Sequence, residues 1–375
     1  MSASNDIRSL FKQFGGEPEL YQEFTRDEHG RGGSPRWPLL PGSPVPELAP
    51  LSALAPEPSP APFGGAEQQA PAAQAEAHDW SAAGLRNLLA KMAENPTPAS
   101  VGTPRVAQLR PALEHIRVIS VISAKGGVGK TTLAASLASA LRRAGRQVVA
   151  IDLDPQNALH HHFQAAEASG SVMEDAGVVQ AGQPWQELGK LSDDGVFVVA
   201  HGMIDENHRQ EFEQGLHHDP LWLARHLADM QLAEGTIVVV DTPPGPSVYL
   251  RQALSVANLA VVVSLADPAS YTSLPQVDKL IAAYTQERTD FAGAAYVINQ
   301  VDHSRQMNKN ITQILRGLLG KQMIGLVHRD QSISDALAYN RNVLGYDPHG
   351  RGCHDILDCA QALIGRLAIA APTAQ

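Results

Sequence analysis

From about residue 113 onward, short apolar runs alternate with longer stretches in which apolar residues recur every three or four positions. The runs Val118–Ile122, Gln147–Ile151, Val196–Ala200, Thr236–Val240, Leu259–Leu265, Ala294–Ile298 and Gln322–Val327 predict buried strands. Helix-forming segments lie between them, among them Leu133 to Leu141, rich in Ala and Leu and stopped by Gly145. Strand, crossover helix and strand repeated in this way imply an α/β domain, a doubly wound and mainly parallel sheet with helices on both faces. Near the C-terminus Ile356, Leu357, Ala360, Leu363, Ile364 and Leu367 form one helical stripe, for which core packing is the expected role.

Upstream the pattern changes. Ile7, Leu10, Phe11 and Phe14 fall on one helical face, with Asn5 or Asp6 as N-cap and Gly15-Gly16 as stop. So short a helix does not hold itself together in water and needs a surface to dock on. Arg36-Trp37-Pro38-Leu39-Leu40 adds an apolar, proline-stiffened cluster that calls for a partner. Residues 41–112 read as a Pro- and Ala-rich tether. Within it, Leu85, Leu88, Leu89 and Met92 sit at helical spacing over residues 80–92, open to two readings: a second docking helix or a transient one. The chain thus divides into a docking segment (1–40), a linker (41–112), a folded domain (113–370) and a short tail (371–375).

The stretch from Ala124 to Thr132 closes the first strand and opens the first helix of the domain, as a phosphate-binding loop must. Gly126, Gly127 and Gly129, with Val128 among them, let backbone N–H groups converge on phosphate oxygens at a helix N-terminus. Lys130 supplies a point charge for the β- and γ-phosphates, and Thr131, followed by Thr132, a hydroxyl for Mg²⁺. A second apolar run, Ile237-Val-Val-Val, ends in Asp241 and Thr-Pro-Pro-Gly245, a Walker B strand whose carboxylate approaches the metal through its water shell. Asp152 and Asp154 follow another strand, two residues apart, where both would face one magnesium and its waters. His160-His161-His162 are consecutive and point in different directions, so a solvated face is expected there rather than a metal site, and the same holds for His217-His218.

Lys125-Gly-Gly-Val-Gly-Lys130-Thr carries Ala124 where the ordinary loop has glycine, and a second lysine ahead of the double glycine. In this it resembles the deviant Walker A loop of the ParA/MinD family of dimeric ATPases, and the resemblance extends over roughly Ile116 to Leu367. It implies ATP and Mg²⁺ as cofactors and a homodimer that sandwiches nucleotide. In it Lys125 reaches the nucleotide of the partner subunit, Asp154 positions the attacking water, and Asp152 supports the metal shell. Asn299-Gln300-Val301-Asp302 is similar both to the base-reading Asn-x-x-Asp of such ATPases and to the guanine-reading Asn-Lys-x-Asp of GTPases; the loop favours ATP, with GTP the alternative. His328 stands in a segment similar to the family's last strand and base-contacting loop.

His328-Arg329-Asp330 and Tyr346-Asp-Pro-His349 are similar to BcsQ-type proteins of cellulose biosynthesis, and Asn5-Asp6-Ile7 with Arg36-Trp37-Pro38-Leu39-Leu40 to the small BcsR-type proteins. These resemblances imply a switch ATPase that supports assembly, localisation or regulation of a cellulose synthase complex, with components of that complex as partners. A partition ATPase acting on DNA or another cargo, and a non-hydrolysing scaffold cemented by nucleotide, are the rival readings.

Composition narrows these classes. A net charge of −10 disfavours broad nucleic-acid binding, although it leaves room for a local patch. Cys353 and Cys359, the only cysteines, have a spacing that suits neither a redox pair nor a zinc site, so a reducing compartment is expected. The N-terminal residues lack the regions of a signal peptide, and no apolar run approaches the ~20 residues of a membrane span. A lone Arg366 beside Asp355 and Asp358 opposes a lipid-binding terminal helix. A cytoplasmic protein without its own membrane anchor follows, drawn to the inner membrane face through partners.

Overall fold

The structure, a computed structural model, describes residues 111–164, 176–180, 182–285 and 288–369. The docking segment, the linker up to residue 110 with its stripe over 80–92, and the tail lie outside the described residues. In chain order the elements are β1 (Arg117–Ile122), α1 (Lys130–Arg143), β2 (Val148–Asp152), a 3₁₀ turn (Leu159–His162), α2 (Trp185–Leu188), β3 (Lys190–Leu191) and β4 (Phe197–Val199). They continue with α3 (Glu206–His218), α4 (Trp222–Asp229), β5 (Ile237–Asp241), α5 (Val248–Val256), β6 (Leu259–Leu265), α6 (Pro268–Thr285) and β7 (Ala294–Val301). The last elements are α7 (Gln306–Leu319), β8 (Met323–His328), α8 (Gln331–Ala338), α9 (Val343–Tyr346) and α10 (Arg351–Ile369).

One eight-stranded sheet in the order β3-β4-β2-β5-β1-β6-β7-β8 organises them. Every pairing is parallel except β3 with β4, so the doubly wound, mainly parallel α/β architecture is borne out. The two residues of β3 were not anticipated. Lys190 and Leu191 pair antiparallel to Val198 and Phe197 at the sheet edge, too briefly to leave an alternating pattern in the sequence.

The near-continuous apolar runs follow from burial on both faces. Ile119 and Val121 of β1 join one cluster with Leu133, Leu137 and Leu141 of α1 and with Ile356, Ala360, Leu363 and Leu367 of α10. Val118 on the opposite face joins the α3–α5 side. Each such fully buried Leu or Ile contributes about 2 kcal/mol. The terminal stripe is therefore core, as its spacing predicted, and Arg366 donates to the Ala294 carbonyl at 3.2 Å. Gly325 of β8 lies so close beneath α10 that a Cβ there would stand 2.2 Å from the Cys359 sulfur. Both cysteines are free and fully buried, and burial pushes the Cys359 thiol up to about 12. Among the described residues no helix is long and apolar enough to cross a membrane.

Register positions the chemistry. Asp241 at the end of β5 stands between Val121 of β1 and Asp152 of β2, so the loop after β1 and two carboxylates share one edge of the sheet.

Candidate functional site

The loop between β1 and α1 is shaped by its glycines. Gly127 and Gly129 have φ of 74° and 82°, a region costly for any residue with a Cβ. Gly129 is also the N-cap of α1, and among the described residues no side chain caps that helix, an arrangement suited to receiving an anion on its first N–H groups. A Cβ on Gly129 would stand 2.4 Å from Asn299 Nδ2. Asn299 itself is buried and donates to the Val128 carbonyl at 2.8 Å, holding the end of β7 against the loop. From the other side, the Gly245 N–H after the Walker B strand donates to the Ser123 carbonyl at 2.8 Å.

Lys130 is the centre of the site. Only 6% exposed, it donates from Nζ to Asp241 Oδ1 at 2.8 Å and to Asp154 Oδ2 at 3.5 Å. Asp241 is fully buried; burial holds its carboxyl above the usual range, while Lys130 and the Thr131 hydroxyl oppose the shift. Its second oxygen, Oδ2, has no hydrogen-bond partner among the described residues. A buried carboxylate oxygen left over beside a threonine hydroxyl fits a divalent cation that takes one or two protein ligands and fills its shell with phosphate and water.

Asp152 is tied to the backbone of its own loop. Its two oxygens accept the Asp154 and Leu159 N–H groups, each at 2.9 Å, and so fold the segment that presents Asp154. Burial, then the neighbouring Asp241 charge, raise its pKa well above the ordinary value.

The histidine run requires a correction. His161 is exposed, but His160 and His162 are buried rather than solvated, because the 3₁₀ turn sends three successive side chains three ways while wedged between α1 and α8. Burial, followed by the neighbouring histidines, pushes His162 down to about 4, and its Nε2 lies 3.5 Å from the Thr132 hydroxyl. His217 and His218 are exposed, as expected.

Residues at the ends of β7 and β8 form a second group. Asp302 accepts the Ser304 N–H at 2.9 Å and hydroxyl at 2.6 Å. His328 Nδ1 meets Asp355 at 2.8 Å, and Arg351 donates to His328 Nε2, also at 2.8 Å.

Lys125 stands apart from Lys130. Its Nζ lies 2.9 Å from both oxygens of Asp267, a residue the sequence reading passed over although Asp267-Pro268-Ala-Ser270 carries a helix-start pattern.

Comparison with known proteins places the whole in context. The model of the family described as cellulose biosynthesis protein BcsQ matches residues 116–364, and that of cellulose biosynthesis protein BcsR-like matches residues 2–42. The chain is similar to a chromosome partitioning protein ParA of Myxococcus xanthus, 24% identical over 67% of this chain and 88% of that one. A plasmid partition protein of Borrelia burgdorferi solved with AMPPNP is 18% identical with a TM-score of 0.56, over 67% of this chain and 99% of that one. The septum site-determining protein MinD of Pyrococcus horikoshii, solved with Mg-ADP, is 19% identical with a TM-score of 0.52, over 68% and 99%. These two share the fold.

Proposed function

The chain belongs to the cellulose biosynthesis protein BcsQ family, and on that premise we propose that it is an ATP-driven dimerising switch acting on a cellulose synthase complex. The observation that carries this reading is Lys130, held between Asp241 and Asp154 at the mouth of a glycine loop, with a second lysine, Lys125, on the rim.

The triphosphate is received by the N–H groups of Gly126 to Thr132 and by the Lys130 ammonium, which turns from the carboxylates to the more highly charged phosphates. Thr131 and Asp241 would hold Mg²⁺, which neutralises charge on the β- and γ-oxygens. Asp154, kept in place by Asp152, orients a water toward the γ-phosphorus; the water forms the new P–O bond as the bond to ADP breaks. In this reading Asn299 and Asp302 contact the base. Lys125 completes the site of the partner subunit, so nucleotide joins two chains and hydrolysis releases them. The match of residues 2–42 to BcsR-like proteins supports a recruiting role for that segment. Deleting residues 1–40 is expected to abolish capture of complex components in pull-downs while leaving ATP binding intact.

For Asp154→Ala, retained ATP binding with turnover lost is expected by calorimetry and phosphate release. Unaltered turnover overturns the role of Asp154, and no turnover in the parent protein favours a nucleotide-cemented scaffold. A salt-dependent gel shift of the ATP-bound form on DNA would favour a partition role instead.

A further inference from the structure

Lys125 is already engaged within its own chain. The ammonium is chelated by both oxygens of Asp267 at 2.9 Å, across 142 residues of sequence. Asp267 is itself held: Oδ1 accepts the Ser270 N–H at 2.7 Å, which orients the carboxylate at the start of α6 before any lysine arrives. Burial works the other way, but Lys125 and the Ser270 N–H keep the Asp267 carboxyl below its usual range, so it presents a negative charge to the lysine at neutral pH. Lys125 is fixed at its root as well, since Ser123 Oγ donates to its carbonyl at 3.0 Å. A root tied to the loop and a tip tied to Asp267 leave the side chain folded back onto its own protomer.

We propose that Asp267 is a positioning residue that stores Lys125 in the single chain and thereby sets the nucleotide level at which two chains join. This rests on the reading given under Proposed function. The exchange is electrostatic: joining trades a lysine–carboxylate pair within one chain for a lysine–phosphate pair between two, and returns Asp267 to water. Because the two side chains are 35% and 33% exposed, the carboxylate rehydrates readily, and the contact acts as a bias rather than a block. Each protomer gives up one such pair, so a bias of about two- to five-fold per chain is squared in a two-fold symmetric dimer. Asp267 thus keeps single chains apart at low ATP without touching the nucleotide.

The test uses the full-length protein at fixed concentration, titrated with Mg²⁺ and a non-hydrolysable ATP analogue, with dimer measured by light scattering. Asp267→Asn keeps the acceptor for Ser270 and removes the charge; because the dimer takes up two nucleotides as it gives up two pairs, the half-saturating nucleotide is expected to fall by about two- to five-fold. Asp267→Ser, a good N-cap, is expected to act alike should the asparagine variant fold poorly. Asp267→Glu is expected to restore the threshold toward that of the parent. In a Lys125→Ala background, where no dimer forms, Asp267→Asn is expected to leave the urea midpoint of the single chain unchanged, a result that a merely structural role would not give. An unchanged threshold in Asp267→Asn and Asp267→Ser, or loss of the dimer in both, overturns the proposal while leaving the switch reading intact. Normal dimerisation of Lys125→Ala overturns the switch reading and this inference with it.

Discussion

Lys130 and Lys125 leave the same glycine loop and meet opposite surroundings. The first is 6% exposed and lies 2.8 Å from a carboxylate that is itself fully buried. The second is 35% exposed and is paired at 2.9 Å with a carboxylate equally open to water. Buried charges withdrawn from water need their partners continuously, since removing one strands the other. Rim charges can change partners at little cost, because water takes up whichever group is released. The floor of the site is therefore built to hold, and the rim to exchange.

The largest effect expected from this contrast is on stability. Lys130→Ala should destabilise the folded domain by about 3 kcal/mol in urea titrations, because Asp241 loses its counter-ion within the core. A variant as stable as the parent would break the contrast.

Next comes pH. The His162 ring, about 4 in the folded chain against 6.5 as a free side chain, is neutral when folded. Between those values the unfolded chain carries the extra proton, so stability is full above pH 6.5 and is lost as pH falls toward 4. A loss of about 2 kcal/mol between pH 7 and 5 is expected from this ring, read as a shift in urea midpoint that His162→Gln reduces and that the neighbouring His160, also pushed down to about 4 by burial, keeps from vanishing. A midpoint indifferent to pH in the parent would place His162 outside the floor.

The smallest effect on stability belongs to the rim. Lys125→Ala should change the unfolding free energy by less than about 1 kcal/mol, while ATP-dependent dimerisation disappears. A loss as large as that of Lys130→Ala would erase the distinction.

Most of the floor could be read from the chain alone, for a local reason. Strand, loop and helix are contiguous from Val118 to Leu141, and Asp241 closes an uninterrupted apolar run, so spacing alone brings the loop, Lys130 and Asp241 to one sheet edge. The rim was legible only in half. Lys125 stands out beside the double glycine, whereas Asp267 lies 142 residues away behind β6, and nothing in its neighbours but a helix-start pattern marks it. His160 and His162 were misread because consecutive polar residues give no periodic signal, and only the packing of α1 and α8 around the turn decides which way they face. The roles of Asp152 and Asn299 in bracing backbone likewise depend on hydrogen bonds that sequence does not announce.

The sealing of Cys353 and Cys359 on the buried side of α10 makes the native chain silent to thiol reagents while folded. A cysteine introduced at a single rim position would supply the accessible sulfur by itself. Oxidative trapping across a symmetry axis would then report when two copies face one another, with no background to engineer away.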